Sequence, residues 1–132
     1  MRSLVLLVVG LLVGSLCTVI AINALNRGTD YPNAVMAVMG QQMKAMDKSV
    51  KQSRCASTDL TPRLQTLRFV ANDIEPAFAD MRDEVQFGRY AADLRSAADA
   101  ALTAPPARCA AATAALSNLS KACDSCHRDY KN

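Results

Sequence analysis

The sequence predicts an all-α protein, an antiparallel up-and-down four-helix bundle that follows an N-terminal hydrophobic transmembrane or signal helix. One observation behind this fold class is an uncharged apolar run of 22 residues, Leu4–Leu25. Another is that four later segments carry apolar residues at steps of three and four, the period of an amphipathic helix. The third is that no segment alternates apolar and polar residues, and that Gly 5 and Pro 5 are few for a strand-and-turn protein.

The apolar run begins after a short positive segment, Met1–Ser3. It is longer than the hydrophobic region of a usual signal peptide and long enough to span a bilayer. Arg2 predicts a cytoplasmic N-terminus, so the chain after Leu25 is expected to be exported. Weak cleavage sites end at Ala21 and Ala24. We favour an uncleaved anchor and keep a cleaved signal as the alternative.

Residues 1–25 are therefore expected to be a signal-anchor or signal peptide, and residues 26–132 an exported helical domain. The expected location is the periplasm, with a tether to the inner membrane, or a soluble periplasmic protein if the signal is cleaved. The formal charge of +3 on 132 residues is small and evenly spread, which excludes nucleic acid as an expected partner. The chain is 51% hydrophobic but only 5% aromatic, which predicts a modest aliphatic core.

The exported domain begins with a polar linker, Arg27–Pro32, and a first helix from Tyr31 to about Val50. The apolar stripe of that helix consists of Met36, Met39, Met43, Met46 and Val50. A loop, Ser53–Thr58, follows. The second helix is predicted to start at Thr61-Pro62, an N-cap and first-turn pair, and to end or bend at Pro76. Its stripe consists of Leu64, Leu67, Ala71 and Ile74.

Two further helices complete the predicted bundle. The third runs from about Asp83 to Leu102, with a stripe of Phe87, Ala91, Leu94, Ala98 and Ala101. The fourth runs from about Ala107 to Tyr130, with a stripe of Cys109, Ala112, Leu116, Leu119, Cys123, Cys126 and Tyr130. The connections between these helices are short, which favours antiparallel neighbours.

The chemistry of the chain is concentrated in Cys123-Asp124-Ser125-Cys126-His127, near the end of the last predicted helix. Two thiols three residues apart lie on neighbouring turns, where they can form thioethers with the two vinyl groups of a haem. The adjacent imidazole can then ligate the iron. One such motif predicts one covalently bound haem c, and export fits because this haem is attached outside the cytoplasm.

Other interpretations of the motif are a chance pattern, a redox dithiol and a zinc site. A thioredoxin-like dithiol is expected in a strand–helix context, which the sequence does not predict. A structural zinc site needs four Cys or His ligands, and the only other exported candidates are Cys55 and Cys109.

A haem-attachment motif close to the chain end, on the last helix of a four-helix bundle, resembles the cytochrome c′ family. The resemblance covers roughly Tyr31–Asn132. Besides the motif, it includes Tyr31–Met46 as the first helix, the Pro-aromatic segment Ile74–Phe78 and the third helix at Tyr90–Asp99. It implies a four-helix bundle that holds one haem c through Cys123 and Cys126. No constellation of general base and nucleophile appears, so we expect no enzyme activity.

The resemblance also suggests a second iron ligand. His127 is the only His of the chain, so two His ligands cannot come from one copy. The family's first helix crosses the distal haem face, and the position matching Met36 is an apolar blocking residue in high-spin members. In low-spin electron-transferring members it is Met. Met36 therefore resembles a distal ligand, with Met39 the alternative by helical stepping, although a Met stripe also fills cores. Many members have Arg four residues before the position of Met36, where this chain has Pro32.

The expected function is one-electron transfer by a His/Met-ligated haem iron, with redox proteins as partners and the membrane as well if the N-terminal helix is retained. The alternative is a five-coordinate cytochrome c′ that binds nitric oxide or carbon monoxide. A third hypothesis is a structural or sensory module whose haem mainly holds the bundle together. A homodimer stays open.

Cys55 and Cys109 are predicted to form a disulfide. Met36 and Cys55 are 19 positions apart, and Cys109 and His127 are 18 apart. At a rise of about 1.5 Å per residue, both cysteines lie roughly 27–28 Å from the haem level on antiparallel helices. The two thiols would therefore meet at the other end of the bundle, where an oxidising compartment would join them.

Overall fold

The computed structural model describes residues 2–27 and 30–131, with the side chains of residues 3–5 and 25–27 outside that description. Within these residues the chain is helical and contains no strand, which confirms the all-α class. The helices are α1 (Arg2–Arg27), α2 (Tyr31–Lys51), α3 (Ser57–Val70), α4 (Ile74–Ala77), α5 (Val85–Thr103) and α6 (Cys109–Tyr130), and a 3-10 turn at Ala71–Asp73 joins α3 to α4. The predicted linker includes Gly28 and Thr29, which lie outside the described residues.

The chain divides into two compact units, Met1–Ala34 and Val35–Asn132. The first unit contains α1, in which the 19 residues Leu6–Ala24 are long and apolar enough to cross a membrane, as the core of a signal sequence also would be. Two hydroxyls in this stretch donate to carbonyls of the preceding turn, Ser15 to Leu12 and Thr18 to Gly14. Their polar groups are therefore satisfied inside the helix, as an apolar surrounding requires.

The second unit has one hydrophobic core to which α2, α3, α5 and α6 all contribute. The predicted stripe of α5 is buried at all five positions, and α5 packs against both α3 and α6. Three stripe residues of α3 and its extension, Leu64, Leu67 and Ala71, are also buried. The stripes of α2 and α6 are different, because several of their residues are only half-buried.

The predicted start of the second helix at Thr61-Pro62 is wrong. Helix α3 begins at Ser57, and Pro62 lies inside it. The reason is Leu60, which is 2% exposed and extends the stripe of Leu64 and Leu67 by one turn toward the N-terminus. Burial of that side chain favours the longer helix, although Pro62 has no N–H to donate to the preceding turn.

The connection from α2 to α3 leads directly into a disulfide. Two residues after the end of α2, Ser53 has a φ of 58°, and the next residue, Arg54, donates its N–H to the carbonyl of Ser49. Together with the bond from Ser53 to Val50, this is a Schellman cap. Cys55, two residues after Ser53, forms a disulfide with Cys109, the first residue of α6. Their Cα atoms are 5.0 Å apart. The pair is the one predicted from the sequence.

Replacing both Cys55 and Cys109 by Ser should lower the free energy of unfolding by about 4 kcal/mol, because the bridge closes a loop of 54 residues in the unfolded chain. Chemical denaturation followed by circular dichroism measures this change. Cys17→Ser, which removes an unbridged thiol from α1, is the matched control and should leave the transition unchanged. Alkylation of Cys55 or Cys109 in the denatured, unreduced chain would contradict the bridge.

Candidate functional site

A cavity of about 300 Å³ lies in the second unit between α2 and α6. Helix α6 lines it with both thiols and the imidazole of the motif, Cys123, Cys126 and His127. Helix α2 lines the same cavity with Met36, Met39, Gly40, Met43 and Lys44. The remaining wall comes from α5 and α4, through Tyr90, Ala91, Leu94 and Ile74. The structure therefore brings together all four residues that the sequence predicts around a haem.

The half-buried stripe residues of α2 and α6 are explained by this cavity. A second groove, of about 420 Å³, continues between the same two helices and shares Met43, Lys44 and Ser120 with the first. Protein interiors are usually packed without such gaps. An apolar cavity with a few convergent polar groups is the usual form of a small-molecule site. A volume of about 300 Å³ lies at the small end of the volumes that such sites have.

The thiols of Cys123 and Cys126 are free and half-buried. Burial raises the pKa of the Cys123 thiol, and the neighbouring charge of Asp124 raises it further. Burial, followed by the charge of Asp129, likewise raises the pKa of Cys126. Both thiols therefore stay protonated at neutral pH. Redox dithiols of the Cys-x-x-Cys type have the opposite property, a lowered pKa that generates the thiolate nucleophile.

The second unit also has too few ligands for a structural zinc site. Cys55 and Cys109 are consumed by their disulfide, which leaves two thiols and one imidazole of the residue types that build structural zinc sites. Among residues 2–27 and 30–131, no three His, Cys, Asp or Glu side chains are grouped closely enough to hold a metal ion.

The methionines of α2 differ in how they face the cavity. Met39 is 6% exposed and belongs to the core, whereas Met36 and Met43 are half-buried and pack against the core from outside it. Met36 is therefore free to turn its thioether into the cavity without opening a hole in the core. Met39 could do so only by giving up packing contacts, which costs stability.

An aromatic cluster next to the motif was not predicted from the sequence. The ring of Tyr130 lies edge-on to Phe87 at 5.3 Å and to Tyr90 at 6.2 Å, and Phe78 contacts Phe87 at 5.7 Å. Each tyrosine hydroxyl donates to a carboxylate, Tyr130 to Glu84 at 2.7 Å and Tyr90 to Asp129. The sequence signal for this cluster is weak, because its members come from three separate segments.

These hydrogen bonds stabilise the neutral phenols. The bond to Glu84 is the main cause that raises the pKa of Tyr130 to about 12, and burial adds to it. The bond to Asp129 raises the pKa of Tyr90 in the same way. The stability that Tyr130 contributes is therefore present below its ordinary pKa of 10.0 and is lost as the pH rises through about 12.

A bidentate ion pair supports the cavity wall formed by Ile74 and Leu94. The guanidinium of Arg95 donates to both carboxylate oxygens of Glu75, at 2.7 and 2.8 Å, and also to the carbonyl of Ala71. Both side chains are about three-quarters buried, at 22% and 26% exposure. The bond to Arg95 is the main cause that lowers the pKa of Glu75. The pair thus fixes α4 and the 3-10 turn against α5.

Glu75→Gln should lower the free energy of unfolding at pH 7 by roughly 1 to 3 kcal/mol, because it leaves the largely buried guanidinium of Arg95 without its charged partner. The difference between variant and wild type should shrink in acid. The contribution of Glu75 is complete above its ordinary pKa of 4.5 and is lost as the pH falls through the lowered value. Urea denaturation at pH 7 and pH 3 measures both effects.

Asp99→Asn is the matched control, since it removes the more exposed partner of the Arg68–Asp99 pair between α3 and α5. That pair should contribute less than about 1 kcal/mol. An equal effect of the two variants would contradict the special role assigned to Glu75.

Comparison with known proteins assigns no family to the chain. No protein-family model matches it, and no characterised protein or solved structure matches it either.

Proposed function

We propose that residues 26–132 form a monohaem c-type cytochrome of the cytochrome c′ type that carries out one-electron transfer. The observation that supports this best is the content of the cavity between α2 and α6. The cavity is apolar, and both thiols and the imidazole of the Cys-x-x-Cys-His motif line one side of it, opposite the methionines of α2. A covalently bound haem needs this donor set.

The proposed fold is the antiparallel up-and-down four-helix bundle. The disulfide supports antiparallel α2 and α6, because it joins the first residue of α6 to the segment that follows α2. The other end of α6, with His127, lines the cavity together with Met36 near the start of α2. Short connections between the helices of the second unit support the same order.

In this proposal the residues of the motif and those of the apolar wall have separate tasks. Cys123 and Cys126 hold the haem through thioether bonds, and His127 ligates the iron. A haem bound in this way supplies a one-electron Fe(III)/Fe(II) couple. Each thiol would add across one vinyl group, with its sulfur going to one carbon and its hydrogen to the other. Ile74, Ala91 and Leu94 supply an apolar wall against which the haem would pack.

Met36 is the proposed second iron ligand. It lines the cavity across from His127. Because Met36 is only half-buried, its thioether can turn toward an iron held there. A soft thioether favours the ferrous state and raises the reduction potential, which suits an electron carrier.

The proposed location is the periplasm. Helix α1 supports this through its apolar stretch, which serves either as an anchor in the inner membrane or as a signal that is removed. A domain with a disulfide between Cys55 and Cys109 also belongs in an oxidising compartment.

Met36→Ala should convert a low-spin ferric protein into a high-spin protein, because it removes the sixth ligand of the iron. The weak near-infrared band of sulfur–iron ligation should disappear, the potential should fall, and the ferrous variant should bind carbon monoxide readily. Absorption spectra and a redox titration measure these changes.

Met39→Ala is the matched control, since Met39 lines the same cavity but belongs to the core. It should lower the free energy of unfolding by roughly 2 to 5 kcal/mol and leave the spin state unchanged. A wild type that is already five-coordinate and high-spin would refute electron transfer through Met36 and favour the binding of nitric oxide or carbon monoxide.

A further inference from the structure

His127 lies in the last turn of α6, three residues before the helix ends at Tyr130. Final turns of helices fray, because the last four carbonyls have no partner within the helix. Here the backbone supplies a bond from the N–H of Lys131 to the carbonyl of His127, at 3.1 Å. The imidazole itself is exposed along the cavity edge. An iron ligand in this position needs further restraint if its orientation is to be constant.

Two hydrogen bonds from side chains connect this turn to α5. The hydroxyl of Tyr130 donates to the carboxylate of Glu84, the residue directly before α5. The hydroxyl of Tyr90, in the second turn of α5, donates to the carboxylate of Asp129. Donor and acceptor alternate between the helices, since α6 supplies one phenol and one carboxylate and α5 with its cap supplies the others.

Aromatic rings next to these two hydrogen bonds also pack against one another. The ring of Tyr130 meets Phe87 at 80° and Tyr90 at 78°, both edge-on. Edge-on pairs of this kind contribute beyond their buried area. Residues on both sides of the turn, Cys126 and Tyr130, also pack against the hydrophobic core. The turn is thus held by rings from inside and by hydrogen bonds at its edge.

We propose that Tyr130 with Glu84, and Tyr90 with Asp129, form a tyrosine clamp that fixes the last turn of α6 and positions the imidazole of His127 for the iron. The proposal rests on the proposed haem function. Tyr90 and Tyr130 are positioning residues in this account, since they act through His127. The clamp keeps the proximal ligand in place while the more adaptable Met36 side of the site adjusts.

The test uses the haem-loaded full chain with Tyr130→Phe, which keeps the ring and removes only the hydroxyl bond. Hydrogen exchange of the amides of residues 127–131 should be roughly 2- to 10-fold faster than in the wild type, as expected for one lost hydrogen bond. In a denaturant titration, the spectral signature of His ligation should be lost at a lower concentration than the helical circular dichroism. In the wild type the two transitions should coincide.

Two further variants separate the clamp from general stability. Tyr90→Phe should produce the same early loss of His ligation, so the test does not depend on one variant that folds. Glu84→Gln keeps an acceptor oxygen for the hydroxyl of Tyr130, so its two transitions should stay largely coincident. Thr113→Val, the matched control, removes a hydroxyl bond to Cys109 at the other end of α6 and should shift both transitions together.

The clamp is refuted if the wild type shows His ligation and Tyr130→Phe changes neither the exchange rates nor the order of the transitions. Failure of the haem proposal gives a different result, a wild-type chain without any spectral signature of a His-ligated haem.

Discussion

The rest of the second unit depends on how helix α6 is held in place. Its first residue, Cys109, is bonded to Cys55, and its last turn is connected to α5 by the hydroxyl bonds of Tyr90 and Tyr130. Between these ends, Ala112 and Leu119 anchor the helix in the core. Fixing α6 at both ends and in the middle allows its other face to remain apart from α2. The cavity that contains the motif is a consequence of that separation.

The distribution of large and small side chains gives the second unit both a tight half and an open half. Alanines at positions 91, 98 and 101 allow α5 to approach its neighbours closely, and Leu60, Leu67 and Phe87 fill the space near α3. On the opposite side, α2 presents methionines, which adapt to irregular surroundings because they are unbranched and polarisable. For the electron transfer proposed above, α6 would hold the haem, and the adaptable methionine side chains of α2 would complete the coordination of its iron.

Much of this arrangement is predictable from the sequence, and the exceptions have physical reasons. The apolar period identified α2, α5 and α6 to within two or three residues. Helix length paired Cys55 with Cys109 once the two helices were taken as antiparallel, with Met36 and His127 level at the haem. The start of α3 was missed because a local signal, Thr61-Pro62, competed with the burial of Leu60, which depends on tertiary packing. The tyrosine clamp was missed because its bonds join residues 39 and 46 positions apart, a separation that no local pattern encodes.

The central claim is that Cys123 and Cys126 hold a haem covalently, and the mass of the intact chain tests it most directly. The chain should be produced in a bacterium that has the c-type cytochrome assembly machinery and analysed under denaturing conditions, which remove any haem that is not covalently bound. The wild type should have the mass of the chain plus one haem. The variant with both Cys123→Ser and Cys126→Ser should have the mass of the chain alone. A wild-type chain that carries no added mass would contradict the central claim.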